Sequence, residues 1–321
     1  MTAVSIIMPA YNAARYIEEA IASALVQTLA DLELIVVDDA STDNTAAIAE
    51  RFATTDARVR VLRQAENAGP SAARNRGLGE ARGRWIAILD ADDAFLPDRL
   101  APLVALGEAQ ALDMVADNLL LVPDEHPGAA RAMIPAGLLS EPRALPLAEF
   151  VRRNIADARY PGCNFGFLKP LFRAGFLREH GLRYDERVRF AEDFTLYVAC
   201  LRRGARWWLM PQATYRYRVR GDSLTQVQTV HDLSRLREVQ AALLADAGDD
   251  RAFAATVRRH QRVVDRCYYY RSFTDDVKAK RVAPALRTLI FSPRSAALIA
   301  EESLRQLPVI AAKALRGGYW R

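Results

Sequence analysis

Asp90 and Asp92 stand two positions apart, directly after the apolar run 85–89. Two carboxylates with this spacing in a turn can converge on one divalent cation. Mg²⁺-like ions usually take one or two protein carboxylates and leave the remaining positions to phosphate and water. The alternative is a turn in which the aspartates bond to their own backbone. A lone Asp-Ala-Asp motif favours that alternative, so its place in the fold has to decide.

Asp38 and Asp39 form a second acidic cluster, which follows the apolar run 34–37. One of these carboxylates could accept the N–H of a nucleobase. Both could instead cap the next helix and interact favourably with its dipole. The two interpretations are compatible, because one residue can cap while its neighbour binds.

Arg74 and Arg76 follow Gly69-Pro70, which predicts the start of a helix. A guanidinium group matches the geometry of a diphosphate, so either arginine could reach one. A solvated helix face explains each of them equally well.

Glu192-Asp193 opens another predicted helix. Acidic residues complement a helix N-terminus, and that structural explanation is sufficient by itself. A carboxylate here could also act as a general base that takes the proton of an attacking hydroxyl group. We expect this carboxylate to be exposed, and an exposed carboxylate is ionised at neutral pH without any shift of its pKa.

The first 120 residues alternate between strand and helix patterns and so position these clusters. Apolar runs predict five strands, at 4–8, 34–37, 59–62, 85–89 and 112–115, with helices between them. Asn12 is expected to cap the first helix. Repeated βαβ units with short connections predict parallel strands with helices on both faces, where ligands bind at the carboxyl ends of the strands. Tyr11-Asn12, Asp38-Asp39 and the Asp90 motif all follow such ends.

The remaining chain is less regular. Residues 123–146 contain five prolines and predict a loop, two strands are expected at 207–210 and 214–219, and helices are expected from His231 onward. Residues 251–321 hold 15 Lys and Arg against 5 Asp and Glu, a net charge of +10 within a chain whose total is +5. This basic segment is either a solvated helical face or a surface attracted to anionic lipid. No nucleic-acid-binding motif accompanies it, so we expect no nucleic-acid partner.

Three widely spaced cysteines favour neither a disulfide framework nor a zinc ribbon. They indicate a reducing, cytoplasmic setting. No signal peptide and no apolar run of about 18 residues, the length that a spanning helix needs, are visible.

Taken together, these residues resemble the family 2 glycosyltransferases of the GT-A fold. The matching segments are residues 4–12, 35–43, Asn67, 73–77, 86–93, 97–100, 190–194, 215–218 and 223–225. The resemblance implies an α/β fold with a GT-A-like, Rossmann-type mixed sheet flanked by helices. It covers residues 1–225, with a donor half at 1–120 and an acceptor half at 121–225. A basic helical extension would follow at 226–321.

The resemblance also implies the role of each site residue. Donor-binding positions would be Pro9, Tyr11, Asn12, Asp38, Asp39, Arg74, Asp90 and Ala91. Within this set Pro9, Tyr11 and Asp39 would line the nucleobase site, with Asp38 supporting the turn. Arg74 would approach the base or the diphosphate, and Asp90 would contact the ribose.

In the same resemblance, Asp92 would bind Mn²⁺ or Mg²⁺, and Asp193, beside Glu192, would be the catalytic base. The implied reaction is an inverting transfer from a nucleotide-sugar, expected to be a UDP-hexose, to a saccharide or lipid-linked saccharide. We expect it at the inner membrane face, in the synthesis of cell-surface polysaccharide.

Two features depart from the commonest family pattern. Asp93 extends the motif, so either Asp92 or Asp93 could be the main metal ligand. Residues 220–223 lack the histidine that many relatives carry there, which removes a histidine-assisted contact to the metal or diphosphate.

Three other classes of protein fit the sequence less well. A nucleotidyltransferase would need a glycine-rich, basic loop after the first strand, where this chain has residues 9–14 without glycine. A haloacid dehalogenase-type phosphatase would need its paired aspartates directly after the first core strand, and this chain does not have them there. A non-catalytic saccharide-binding or assembly protein of the same fold would not need Asp92 and Glu192-Asp193.

Overall fold

The computed structural model describes residues 2–155, 160, 162–188, 191–220, 229–290 and 293–315. The chain forms two compact units, Met1–Ser223 and Leu224–Arg321. The expected boundary after residue 225 lies outside the described residues, as do Phe190 and the segment 223–225 of the resemblance.

The first part of unit 1 is built from buried apolar strands joined by helices. Its elements are β1 (Val4–Ala10), α1 (Ile17–Leu25), β2 (Leu32–Asp38), α2 (Thr45–Thr55), β3 (Val59–Arg63), α3 (Pro70–Glu80) and β4 (Trp85–Ile88). Every residue of β2 is buried, as expected for a strand covered on both faces. The strands and helices predicted up to residue 89 are confirmed, with ends that differ by a few residues.

Four strands pair in parallel in the order β3-β2-β1-β4, as predicted. Ala10 lies opposite Asp38 in the β1–β2 pair. The residues that follow β1, β2 and β4 therefore meet at one edge of the sheet.

The second part of unit 1 extends this sheet with antiparallel pairings and makes it mixed. Its elements are β5 (Ala94–Phe95), α4 (Leu100–Ala109), β6 (Met114–Pro123), β7 (Arg131–Ala132), β8 (Arg143–Ala144), α5 (Leu147–Arg153), β9 (Leu171–Arg173), α6 (Ala174–Glu179), α7 (Glu192–Arg202) and β10 (Trp207–Val219). The sheet continues from β4 through β9, β6, β10 and β5. β9 runs antiparallel to both of its neighbours, so the fifth predicted strand is not adjacent to the fourth. A mixed α/β sheet flanked by helices is confirmed.

The prediction of two strands at 207–210 and 214–219 is wrong, because they form the single strand β10. Its register against β6 shifts between Met210 and Ala213 and again before Tyr215. Pro211 lies in the irregular stretch and has no N–H to donate to a ladder. The interruption visible in the sequence is thus a bulge and not a strand end.

Asn12 does not cap α1, contrary to the prediction. The helix begins at Ile17 with Tyr16 at its N-cap. Asn12 has a positive φ of 49°, a conformation that asparagine tolerates better than most residues. Its Oδ1 accepts from the Thr42 N–H at 2.8 Å, so it joins the loops after β1 and β2.

Unit 2 is helical, as predicted. It consists of α8 (Val230–Asp246), α9 (Arg251–Lys278), α10 (Val282–Ile290) and α11 (Pro293–Leu315). Thr229 and Asp232 form a reciprocal capping box at the start of α8, which satisfies backbone N–H groups that the helix leaves open. Leu233, Leu236 and Val257 are buried in its core. Within the described helices, none combines the length and apolarity that crossing a membrane requires.

Candidate active site

The three predicted clusters meet where β1, β2 and β4 end. The Asp39 N–H donates to the Ala10 carbonyl at 2.8 Å, and the Leu89 N–H donates to the Ile7 carbonyl at 3.0 Å. These bonds continue the parallel ladders past the strand ends. Position in the fold therefore favours a functional origin for the Asp90 motif over a plain turn.

Asp39 is buried and its carboxylate binds the loop that leads into α3. Its Oδ1 accepts from Ala68 N–H at 2.8 Å and from the side-chain amide of Gln64. Its Oδ2 accepts from Gly69 N–H at 2.8 Å. An ionised carboxylate has about four acceptor sites, so one site on Oδ2 remains for another donor such as a nucleobase N–H.

The other predicted nucleobase residues lie, like Asp39, at the ends of the paired strands β1 and β2. Tyr11 is exposed and Pro9 is half-buried, so both can line an open cleft. Asp38 is buried, and its Oδ2 accepts from Ser41 N–H at 3.4 Å. Its Oδ1 is buried without a hydrogen-bond partner among the described residues.

Arg74 is buried, so the interpretation of a solvated helix face is wrong for it. Its guanidinium lies 2.8 Å from Asp90 Oδ1 and 2.7 Å from Glu192 Oε1. Burial by itself would lower the pKa of Arg74, but the carboxylates of Asp90, Asp193 and Glu192 raise it well above its ordinary value. Arg76, by contrast, is exposed and lies 3.7 Å from Glu80.

Lys169 is the residue that sequence reasoning missed. It is buried, and its Nζ lies 2.8 Å from Asp193 Oδ2 and 2.9 Å from Asp90 Oδ2. Burial lowers the pKa of Lys169, yet these two carboxylates outweigh that effect and raise it well above its usual range. A single lysine inside the otherwise apolar run 165–172 was the signal that could have revealed it.

Asp90 forms ion pairs with both Arg74 and Lys169. Burial raises the pKa of Asp90, but Lys169 and Arg74 lower it far below its usual range. The neighbouring Ala91 is buried and carries no polar side chain that could compete for this pair. Asp90, whose side chain is 21% exposed, therefore remains an anion.

Glu192 and Asp193 are not exposed carboxylates, which corrects the prediction. Asp193 is buried and pairs with Lys169, and only 13% of the Glu192 side chain is exposed. Burial is the main cause that raises the pKa of Glu192. The packing of distant segments around the start of α7 produces this burial, which local sequence does not reveal.

The structure separates Asp93 from Asp92. Asp93 is buried, its Oδ2 accepts from the Tyr215 hydroxyl at 2.8 Å, and its Oδ1 accepts from Arg218 N–H at 2.8 Å. The Asp92 side chain is 29% exposed and lies 2.7 Å from the Arg220 guanidinium. Both carboxylate oxygens of Asp93 thus accept hydrogen bonds from within the protein, and Asp92 is the more exposed of the two carboxylates.

The carboxylates of this site fit a divalent cation that is held partly by the protein and partly by the phosphate oxygens of a bound molecule. Among the described residues, no three His, Cys, Asp or Glu side chains form a complete metal cage. Burial and, to a smaller extent, the nearby Asp90 charge raise the pKa of Asp92, so a cation bound beside this carboxylate would stabilise its charged form. One or two carboxylates completed by phosphate oxygens is the usual arrangement for Mg²⁺.

The arrangement supplies the two kinds of group that are needed when a hydroxyl group displaces a phosphate from a carbon atom. Carboxylates are available to accept a proton, and the arginine and lysine side chains can offset the charge of a departing phosphate.

Comparisons with known proteins agree with this geometry. The family described as "Glycosyl transferase family 2" matches residues 5–176. The succinoglycan biosynthesis protein ExoU of Rhizobium meliloti (strain 1021) is 39% identical over 274 residues, which are 85% of this chain and 79% of that protein.

Two solved structures share the GT-A-like fold. The structure of S. aureus TarS 1-349 in complex with UDP-GlcNAc is 20% identical, with a TM-score of 0.66, covering 100% of this chain and 93% of that one. The mannosyltransferase PcManGT of Pyrobaculum calidifontis, in complex with GDP-Man and Mn²⁺, is 21% identical with a TM-score of 0.59, covering 95% and 80%. The chain described here is a glycosyltransferase that belongs to glycosyl transferase family 2.

Proposed function

We propose that this enzyme transfers a hexose from a UDP-sugar to a hydroxyl group of a saccharide or lipid-linked saccharide in the synthesis of cell-surface polysaccharide. One observation carries the proposal: Lys169 and Arg74 join the Asp90 motif to the acidic pair at the start of α7. The relative ExoU is named for succinoglycan biosynthesis, and the similar TarS structure holds UDP-GlcNAc. Both support the proposed donor and product class.

In this proposal the donor half, residues 1–120, binds the nucleotide. Tyr11 and Pro9 would line the nucleobase, whose N–H would bond to the remaining acceptor site of Asp39. Asp90 would contact the ribose, and Arg74 would meet the diphosphate when the donor enters. The acceptor half, residues 121–225, would supply the catalytic base.

Asp193 is the proposed base, and its two oxygens have different tasks. Oδ2 lies 2.8 Å from Lys169, whereas Oδ1 is buried without a partner among the described residues. Oδ1 would accept the proton of the acceptor hydroxyl while that oxygen attacks the anomeric carbon. The bond from this carbon to the diphosphate oxygen breaks on the opposite side, so the nucleoside diphosphate leaves and the configuration inverts.

Asp92 would hold the divalent cation together with the donor's phosphate oxygens. Bound Mn²⁺ or Mg²⁺ would supply charge neutralisation for the leaving diphosphate. Support comes from the donor set of the site and from the Mn²⁺ in the PcManGT structure. Arg74 would share this neutralisation from the protein side. A lipid-linked acceptor would place the reaction in the cytoplasm, at the inner face of the membrane.

A thermal-shift screen of nucleotides and nucleotide-sugars, with and without Mn²⁺, tests the donor. We expect a metal-dependent shift with UDP and UDP-hexoses, because a ligand that binds the native state raises the unfolding temperature. Equal shifts with all nucleotides, or none with uridine nucleotides, would overturn the proposed donor.

Asp193→Asn tests the reaction in the same preparation. The variant should retain the donor-induced shift and lose at least about 100-fold in kcat. Asp31→Asn, which changes an exposed carboxylate, is the matched control. Donor binding by the wild type without transfer to any saccharide would favour the non-catalytic alternative.

A further inference from the structure

The short helix α10 turns an apolar stripe outward. Val282, Leu286 and Ile290 have exposed fractions of 65%, 48% and 64%. Spaced four residues apart, they lie within an arc of about 80° on one side of the helix. Ala285 is the residue of this helix that is buried. The stripe is therefore not the face by which α10 packs on its own unit.

Exposed apolar side chains are concentrated in this part of the protein. Val277, just before α10, is 53% exposed. Four of the eight large hydrophobic residues that are exposed in the described chain fall within positions 277–290. Single exposed hydrophobic residues are ordinary, but a contiguous patch indicates a surface that binds something.

The chain segment that carries this stripe contains charged residues of one sign only. Residues 277–300 contain five Lys and Arg and no Asp or Glu. Arg281 pairs with Asp276 at 2.8 Å, and Arg294 lies 3.5 Å from Asp265. Lys278, Lys280 and Arg287 are exposed, and the described part of the chain offers them no ion-pair partner. Three cations thus remain available beside the apolar residues.

We infer that this surface binds the anionic headgroup region of a lipid bilayer. We call it the α10 face, and it consists of Val282, Leu286, Ile290, Lys278, Lys280 and Arg287. α10 carries Arg287, and Lys278 and Lys280 directly precede it in the chain. A helix with apolar residues on one side and cations near it can bury the apolar side at the boundary between headgroups and acyl chains. Its lysines and arginine then lie among lipid phosphates. This inference rests on the proposed function insofar as a lipid-linked acceptor lies at the same membrane.

Charge complementarity favours a bilayer over a second copy of the chain. In a twofold dimer built on the α10 face, the same three cations would approach their own copies without acidic partners. An anionic lipid surface supplies the missing negative charge. The α10 face is accordingly a membrane contact.

Vesicle flotation of the full chain tests this without nucleotide, sugar or acceptor. Vesicles of phosphatidylcholine with about 30% phosphatidylglycerol should carry the wild type upward, and pure phosphatidylcholine vesicles should carry it about tenfold less. Leu286→Gln/Ile290→Gln should reduce flotation on the anionic vesicles at least about fivefold. Val26→Gln, at an exposed apolar residue of unit 1, should float as the wild type does.

The cations have their own matched pair of variants. Lys278→Gln/Lys280→Gln should lose about tenfold in binding to the anionic vesicles, whereas Arg258→Gln/Arg259→Gln should not. The second pair removes the same charge from exposed positions on α9, away from the stripe. Equal losses in the two pairs would mean that net charge and not the α10 face binds lipid, which overturns the inference.

Two further outcomes would also overturn it. The first is that the wild type stays at the bottom of the gradient with both kinds of vesicle, because it binds neither. The second is that light scattering shows the wild type as a dimer and the Leu286→Gln/Ile290→Gln variant as a monomer, while the two proteins float equally. Transfer to a water-soluble acceptor should be equal in all these variants, so failure of the catalytic proposal is recognised separately. Circular dichroism and the unfolding temperature establish that each variant is folded.

Discussion

Lys169 donates to Asp193 at 2.8 Å, and the same ammonium group lies 2.9 Å from Asp90. Arg74 makes the parallel connection from Asp90 to Glu192. Two buried cations thus hold three carboxylates from segments that are far apart in the chain. A carboxylate that must stay charged in a buried site needs such partners, because burial alone disfavours the charged form.

Lys169→Met should leave Asp90 and Asp193 short of one counter-charge and should release the orientation of Asp193. We expect kcat to fall about 100-fold, the range of general-base effects, with a smaller change in the donor KM. The free energy of unfolding should fall by about 3 kcal/mol, because a buried charge cluster loses a partner. Lys169→Arg should recover part of kcat. A loss confined to stability, with kcat unchanged in the folded fraction, would reduce Lys169 to a packing residue.

Asp93→Asn should mainly lower stability, whereas Asp92→Asn should mainly affect the metal dependence of donor binding. At position 93 the new amide would turn an N–H₂ group toward either the Tyr215 hydroxyl or the Arg218 N–H, both of which donate to Asp93. We expect a loss of about 2 kcal/mol in urea unfolding. Asp92→Asn should change stability by less than about 1 kcal/mol, since its ion pair is partly exposed, but should abolish the Mn²⁺ dependence of donor binding. The reverse pattern would make Asp93 the metal ligand.

Arg220→Met should strengthen Mn²⁺ binding in the absence of nucleotide, because Arg220 and the metal compete for the Asp92 carboxylate. We expect a fewfold to about tenfold decrease in the Kd, measured from the electron paramagnetic resonance signal of free Mn²⁺. Arg216→Met removes an arginine that pairs with Glu19 instead and should leave the Kd unchanged. Weaker Mn²⁺ binding in the Arg220 variant would contradict this competition.

His260 should make unit 2 sensitive to acid. Burial lowers the pKa of His260 from 6.5 to about 4, and the ring lies 2.5 Å from the Gln240 amide. Because the folded pKa lies below the unfolded value, the unfolded chain takes up the proton first as pH falls. The free energy of unfolding should therefore decrease between pH 6.5 and about pH 4, by up to about 3 kcal/mol.

His260→Asn keeps a polar group near Gln240 but cannot titrate, so it is the control for that prediction. Urea unfolding at pH 7.5, 6.0 and 5.0 should show a smaller decrease for the variant than for the wild type. Carboxylate titrations contribute equally to both proteins and cancel in the comparison. Identical slopes would mean that His260 is solvated in the folded protein.

The amino-acid sequence by itself determined the elements, because local periodicity, prolines and glycines report on strands and helices. It also predicted that the candidate site lies at the strand ends, since consecutive βαβ units bring Tyr11, Asp39 and Asp90 to one edge of a sheet. The family followed from the order of the motifs and is confirmed by the match over residues 5–176.

Only the tertiary structure decided which side chains pair and which are buried. Arg74 and Glu192 are 118 positions apart, and Tyr215 and Asp93 are 122 positions apart. Contacts over such separations depend on packing between distant elements and leave no local pattern. For the same reason the sequence left Lys169 unnoticed, presented Asp193 as exposed and did not separate Asp92 from Asp93.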